Sequence, residues 1–248
     1  MNTDRLVKMG KCFREEYDYE RAYYCFLEAA LDNDPEAILN LGYMYLNEEE
    51  PVRRDFGKAF NYLKKYYELT GKPKGGYEVI SVHEDIEESE EGRAAYRDYI
   101  EFMISHEEWD YYVIKGNELR DNGVYPKSDE EEMRCYRAAG KHGVKMGWEC
   151  LAEKYYRGDG IKQDYKKAYD ILQSYEGAAS YKKDRILGEM FYYGRGVEKD
   201  IEKAVHILKE IVQSDNPWRE MDYDYELARD LLGSIDDKEK DHGTVAIY

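Results

Sequence analysis

Residues 155–161 read YYRGDGI, and 36 positions further along the chain residues 191–197 read FYYGRGV. Aromatic and glycine residues recur at matching places in the two stretches. The same step of 36 takes Gly116 to Ala152 and then to Gly188, so the period extends upstream. A fixed period of this length is typical of supersecondary units that stack on one another. The repeat therefore predicts the architecture of the chain.

Six copies share a two-helix plan, in which a first helix carries an apolar residue followed by a small one, and a second helix begins at a capping residue. The expected capping residues are Asp18, Asp55, Glu91, Ser128, Asp164 and Asp200. Four residues after the caps stand Ala22, Ala59, Ala95, Ala168 and Ala204, and only Glu132 departs from this rule. A small residue at this place lets the two helices approach closely. Each pair then needs a neighbouring pair to cover its other side.

These patterns predict an all-α solenoid of about six antiparallel helix pairs followed by a C-terminal capping helix. The expected repeats are residues 3–33, 35–70, 73–106, 109–143, 144–178 and 180–214, with the capping helix at 218–233 and a tail at 234–248. The prolines agree with this division, since each falls at a predicted helix start or turn, where a missing N–H costs little. They are Pro35, Pro51, Pro73, Pro126 and Pro217.

The charge of the chain narrows the choice of partner. Lys and Arg number 37 against 54 Asp and Glu, which gives a formal net charge of −17. Such a chain repels phosphate backbones and anionic lipid, so we expect no nucleic acid and no membrane as partners. Basic proteins or peptides are therefore the favoured partners. The acidic runs within residues 48–50, 84–91 and 129–132 offer a second surface that could bind them. The oligomeric state is open.

The N-terminus is polar and no apolar run approaches the roughly 20 residues of a spanning helix, so we expect no signal peptide and a cytoplasmic location. Four cysteines, Cys12, Cys25, Cys135 and Cys150, form no CxxC pair and are expected to be free thiols. The five histidines are scattered and make no HExxH motif. We therefore predict no metal, no cofactor and no catalytic residues.

Residues 139–152, AGKHGVKMGWECLA, followed by GDGI at 158–161 and DYKKA at 164–168, resemble the Sel1-like repeat, a relative of the tetratricopeptide repeat. The family pattern has Ala-Ala where this chain has Ala139-Gly140. The resemblance covers residues 110–214 best and residues 71–109 least. It implies a right-handed superhelix and a role as an adaptor that gathers other proteins.

In tetratricopeptide-type solenoids the concave face is lined by fixed positions of the first helix in each repeat. By that analogy the groove carries Leu39, Tyr43, Leu46, Asn117, Arg120, Glu149, Glu153, Tyr156, Arg185, Glu189, Tyr192 and Tyr225. The binding residues we predict among them are Tyr43, Arg120, Glu153, Tyr156, Arg185, Glu189 and Tyr192. Aromatic rings beside paired charges suit an extended peptide.

The leading hypothesis is thus a protein-protein interaction scaffold that binds a protein or extended peptide in the concave groove. Two alternatives stay open. The chain is an enzyme or small-ligand protein that uses groove carboxylates such as Glu153 and Glu189, or it is a self-assembling structural protein. A convergent pocket with perturbed carboxylates favours the enzyme, and an open groove favours the adaptor.

Overall fold

The structure is a computed structural model that describes residues 2–74, 79, 81–175, 180–214 and 222–241, the last six of these by backbone only. Thirteen helices lie within these residues. They are α1 (Thr3–Glu15), α2 (Tyr19–Leu31), α3 (Pro35–Asn47), α4 (Phe56–Thr70), α5 (His83–Glu88), α6 (Glu90–Ser105), α7 (Asp110–Asp121), α8 (Asp129–Lys141), α9 (Lys145–Arg157), α10 (Tyr165–Gln173), α11 (Tyr181–Tyr193), α12 (Ile201–Val212) and α13 (Tyr223–Asp241). The described residues contain no strand, so the all-α prediction is confirmed.

The chain forms two compact units, Met1–Ser128 and Asp129–Tyr248. In the first unit α1 packs on α2, α3 on α4, and α6 on α4 and α7. In the second unit α9 packs on α8 and α10, and α11 on α12 and α13. The boundary between the units falls between α7 and α8, the two helices that the sequence analysis assigns to the repeat at 109–143.

Small residues bring the paired helices together, as the repeat pattern predicts. Ala168 and Ala204 are fully buried, as are their counterparts in α2 and α4. A Cβ at Gly10 would lie 2.7 Å from the Phe26 ring, and one at Gly188 would lie 2.8 Å from Leu208. Because such distances do not occur in real structures, the first helix can approach its partner this closely only with glycine at that place.

The four expected aspartate caps are confirmed, and α8 begins at Asp129, directly after the expected cap Ser128. The side chains of Asp18, Asp55, Asp164 and Asp200 each accept a hydrogen bond from the backbone N–H three residues on. The prediction of Glu91 as a cap was wrong. The helix begins at Glu90, and Ser89 is its cap because the Ser89 hydroxyl accepts from the Gly92 N–H at 3.1 Å. Glu91 lies inside the first turn, where its charge is favourable.

The described prolines occupy the predicted places. Pro35 is the first residue of α3, and Pro51, Pro73 and Pro126 lie in connections. Pro217 and residues 242–248 of the expected tail lie outside the described residues. The C-terminal helix α13 runs from Tyr223 to Asp241, beyond residue 233 where the sequence analysis ends it.

The four cysteines are free thiols, as expected; Cys25, Cys135 and Cys150 are buried and Cys12 is exposed. In the part of the chain that the structure describes, no helix combines the length and the apolar character needed to cross a bilayer.

Candidate functional site

The predicted groove residues of the second unit meet around one guanidinium group. Arg185 lies in α11 with only 2% of its side chain exposed. It donates from Nη2 to Glu153 Oε1 at 2.9 Å, from Nη1 to Glu189 Oε1 at 2.6 Å and from Nε to Asp224 Oδ1 at 2.6 Å. The three carboxylates come from α9, α11 and α13. One side chain therefore joins the first helices of two successive repeats to the capping helix.

Tyr156 extends this group. Its hydroxyl donates to Glu189 Oε2 at 2.7 Å and accepts from Arg195 Nη1 at 2.8 Å. We refer to Glu153, Tyr156, Arg185, Glu189 and Asp224 as the Arg185 network. Four of its five members are binding residues predicted from the sequence, and hydrogen bonds link these four in series from Tyr156 through Glu189 and Arg185 to Glu153.

Burial in the network differs from what the sequence predicts. Tyr156, predicted to face the groove, is only 5% exposed, whereas its neighbour Tyr155 is half-buried. The Tyr156 ring packs against Tyr165 and its hydroxyl has two polar partners, which makes its burial favourable. Tyr156 and Arg185 thus offer little surface to a partner. Glu153, Glu189 and Tyr192 stay partly exposed.

The charges in the network are matched internally. Glu153 also accepts from Lys182 Nζ and pairs with Arg157 Nη2, each at 2.8 Å. Burial disfavours the charged form of Glu153, but the positive charges of Lys182, Arg157 and Arg185 outweigh it and hold its pKa below the usual range. A carboxyl that stays ionised in this way is suited to binding a cation and unsuited to donating a proton.

An aromatic cluster lies beside the network. Tyr192 and Tyr193 meet edge to face with ring centroids 4.8 Å apart, and Tyr193 is 49% exposed. The Arg195 guanidinium lies 4.4 Å from the Tyr193 ring centroid, within the range of a cation–π contact. The sequence predicts Tyr192 here but not Arg195, because Arg195 comes from the turn between the two helices of the repeat.

The remaining predicted binding residues lie in the first unit. Tyr43 is half-buried and packs against the apolar core of that unit. The Arg120 guanidinium donates to both carboxylate oxygens of Asp121 at 2.7 Å. Among the wider groove positions, Leu46, Glu149 and Tyr225 are buried. Leu46 and Tyr225 therefore serve packing, whereas Glu149 Oε1 accepts a hydrogen bond from the Tyr175 hydroxyl at 3.3 Å. Tyr43 and Arg120 keep part of their surface in solvent.

The Sel1 repeat family model matches four segments of the chain, residues 8–34, 35–69, 151–174 and 185–211. The last two segments contain most of the Arg185 network. Among curated proteins, no sequence matches the chain significantly.

Two solved structures are similar in fold. One is a protective antigen of uropathogenic Escherichia coli strains that displays an SLR fold, with 19% identity and a TM-score of 0.53 over 84% of this chain and 45% of that one. The other is a Sel1 repeat protein from Oxalobacter formigenes, with 18% identity and a TM-score of 0.53 over 88% of this chain and 64% of that one. The chain thus spans about half to two thirds of the length of these two proteins, and at such identities the likeness shows the fold alone.

Proposed function

We propose that this Sel1 repeat protein is a scaffold for other proteins. It binds an extended segment of its partner along the first helices of its repeats. Sel1 repeat proteins generally act in protein-protein interaction, and the fold is generally a non-enzymatic scaffold. The predicted groove in the second unit is the place that we assign to the partner.

The observation that carries this proposal is the Arg185 network. Because Arg185 ties α9, α11 and α13 together, the partly exposed side chains beside it stand on a surface whose geometry is fixed before a partner arrives. Fixed side chains lose little entropy on binding. Glu189 and Tyr192 lie three residues apart on α11 and therefore share one face of that helix.

The chemistry of this surface selects the partner. Tyr192 and Tyr193 offer aromatic area that suits an apolar or aromatic side chain. The carboxylates of Glu153 and Glu189 are matched by cations inside the network, so their attraction for a partner is local and modest. The net charge of −17 acts at longer range and steers a basic segment toward the chain. We therefore expect a basic segment with at least one aromatic or large apolar residue, and we place this activity in the cytoplasm.

The experiment starts from a random peptide library selected against the immobilised chain. Selected peptides are then measured by biolayer interferometry against the parent, Tyr192→Ala, Glu189→Gln and a control, Tyr24→Ala. Tyr24 is an exposed tyrosine on α2. Because α2 is the second helix of its repeat, Tyr24 is not part of the proposed binding face. We expect enrichment of basic, aromatic peptides whose binding weakens in the two α11 variants and is unchanged in the control.

If the peptides bind the Tyr192→Ala and Glu189→Gln variants with parental affinity, the binding site does not include this face of α11. The acidic runs elsewhere in the chain would then become the binding surface. Selection of acidic peptides would contradict the charge argument while leaving the position of the site intact.

A further inference from the structure

The first unit brings together one imidazole and two carboxylates that are far apart in the sequence. His83 and Glu87 lie one turn apart on α5, and Glu118 lies on α7. His83 Nε2 lies 2.7 Å from Glu118 Oε1, and His83 Nδ1 lies 3.8 Å from Glu87 Oε1. One ligand atom from each of the three residues fits within a span of 4.8 Å. We refer to these three residues as the His83 cluster.

From this arrangement we propose that the His83 cluster binds a divalent transition-metal ion, with Zn²⁺ as the ion that fits best. Imidazole nitrogen and carboxylate oxygen are both ligands of Zn²⁺, at bond lengths of about 2.0–2.2 Å. In tetrahedral coordination such bonds place neighbouring ligand atoms about 3.3 Å apart. A single ion takes one of the two His83 nitrogens, and one ligand atom from each of the three residues lies within 4.8 Å of the others, so side-chain rotations can bring the three atoms to this spacing.

Glu118 is oriented before any ion binds. It is 7% exposed, and its Oε2 accepts a hydrogen bond from the Val124 N–H at 2.9 Å, which leaves Oε1 directed at His83. A ligating carboxylate that is itself held by a hydrogen bond is the usual arrangement around bound metals. The buried carboxylate also needs a positive partner, because burying an unmatched charge is costly.

The second carboxylate makes a cation the natural partner. An added Cβ at Gly123 would lie 2.3 Å from Glu118 Oε2 and 2.6 Å from Glu87 Oε1, so the two carboxylates converge on the same point beside the backbone. Two negative charges this close repel each other. A doubly charged ion balances the pair. Glycine at 123 keeps the space beside the carboxylates open.

The three residues leave one coordination position of the ion open to a further ligand. Three protein ligands leave a tetrahedral ion one position for water or for a side chain of another molecule. Glu87 and His83 are partly exposed, so that position faces the surface. A partner that supplies a histidine or a carboxylate would complete the coordination.

The test uses the full chain, stripped of metal with a chelator, and measures Zn²⁺ binding by competition with a chromophoric chelator. We expect about one ion per chain for the parent. The His83→Gln and Glu87→Gln variants should each lose affinity by at least ~10-fold, the lower end of the cost of disturbing a metal site. Co²⁺ provides a second readout, since its visible absorption reports the coordination geometry of the bound ion.

The chain offers a matched control in His206 and Glu210. They form a second His–Glu pair four residues apart, with Nε2 and Oε1 at 3.6 Å, on the exposed face of α12. His206→Gln should leave the affinity unchanged. Equal losses in His83→Gln and His206→Gln, or a parent that binds no Zn²⁺ at millimolar concentration, would overturn the proposal. Should circular dichroism show that His83→Gln is unfolded, the half-exposed Glu87→Gln decides the question alone.

Discussion

The ammonium group of Lys154 lies 2.6 Å from the Glu132 carboxylate, and the two side chains are 3% and 1% exposed. Glu132 stands where α2, α4, α10 and α12 carry a fully buried alanine, and Lys154 reaches it from the adjacent helix α9. Lys154 Nζ also donates to Asp129 Oδ1 at 2.7 Å. The departure from the alanine rule is therefore compensated by a buried ion pair in the same unit.

Replacing Lys154 with Met should destabilise the chain by about 3–5 kcal/mol, because the buried Glu132 charge loses the ammonium group that faces it. The double variant Glu132→Ala, Lys154→Met should recover most of this loss, since an apolar replacement of a buried pair is often neutral. Urea denaturation of the two single variants and the double variant measures the coupling. As a control, Lys166→Met removes an exposed ion pair and should cost less than about 0.5 kcal/mol. A double variant as unstable as Lys154→Met would show that the pair is not coupled.

The Arg185 network should make stability depend on acidity. The pKa of Glu153 is held below its usual range, so its contribution is complete above the unfolded value of about 4.3 and is lost as the pH falls through the folded value. Arg185→Met should cost about 3 kcal/mol or more at pH 7, because three carboxylates then face one another. The difference from the parent should shrink in acid, as the pH falls through the lowered pKa of Glu153.

Urea denaturation at several pH values measures this effect. Arg134→Met, which removes an exposed arginine of α8, serves as the control and should change stability little at any pH. A penalty for Arg185→Met that does not vary with pH would mean that lost packing, and not charge, accounts for it.

Replacing Gly140 with alanine should lower the stability of the chain, although a change from glycine to alanine usually stabilises a helix. A Cβ at this position would lie 2.4 Å from the Trp148 indole, so Gly140→Ala should destabilise the chain by about 1–3 kcal/mol despite the better helix propensity of alanine. Gly57→Ala is the matched control, since its nearest neighbour would be at an ordinary 3.5 Å, and it should stabilise α4 by up to about 1 kcal/mol. Thermal denaturation of the two variants should give shifts of opposite sign. Two shifts of the same sign would contradict the packing described here.

The N-cap Asp164 and the small buried residue Ala168 of α10 should each contribute to the stability of the chain. Asp164→Ala should cost about 1 kcal/mol, because the Lys167 N–H loses its acceptor at 2.9 Å. Ala168→Leu should cost about 1–3 kcal/mol by overpacking a fully buried position. Asp159→Ala changes an exposed aspartate of the preceding turn and should be neutral. Chemical denaturation distinguishes these cases, and parental stability in both Asp164→Ala and Ala168→Leu would contradict the assigned register.

Binding kinetics should separate steering from anchoring. The association rate of a basic peptide should fall as salt rises, since charges are screened beyond about 10 Å at 0.1 M. Tyr192→Ala should raise the dissociation rate by the equivalent of about 1–2 kcal/mol, and it should lower stability less than Tyr156→Ala does, because Tyr192 packs on the core but stays partly exposed. Tyr156→Ala should also lower stability, because Tyr156 is buried with two hydrogen bonds. An unchanged dissociation rate in Tyr192→Ala would remove Tyr192 from the contact.

Local rules in the sequence predicted much of the fold. Helix caps such as Asp164 and small contact residues such as Ala168 act within one helix pair. Because both recur with the period of 36, their positions can be predicted directly from the sequence. The third repeat was harder, because its pattern is degenerate and its cap is Ser89, two residues before the expected position.

The interactions of the candidate site could not be read in this way. Arg185 and Tyr156 stand at positions that analogy places on an open face, yet they are buried by partners that lie 32 to 39 residues away. The His83 cluster depends on Glu118, 35 residues further along. Contacts at this range follow from how helices stack, and no spacing rule marks which polar residues will meet.

The Arg185 network also limits how this part of the chain can change through duplication or loss of repeats. Excision of α11 and α12 would remove Arg185, Glu189 and Lys182 together, and the carboxylates of Glu153 and Asp224 would lose the cation that they share. Helix length and period permit such an excision, whereas the charges do not. Gain or loss of a repeat at this point therefore requires matching replacements on both sides of the junction, so the order of helices here is far less free than the regular period implies.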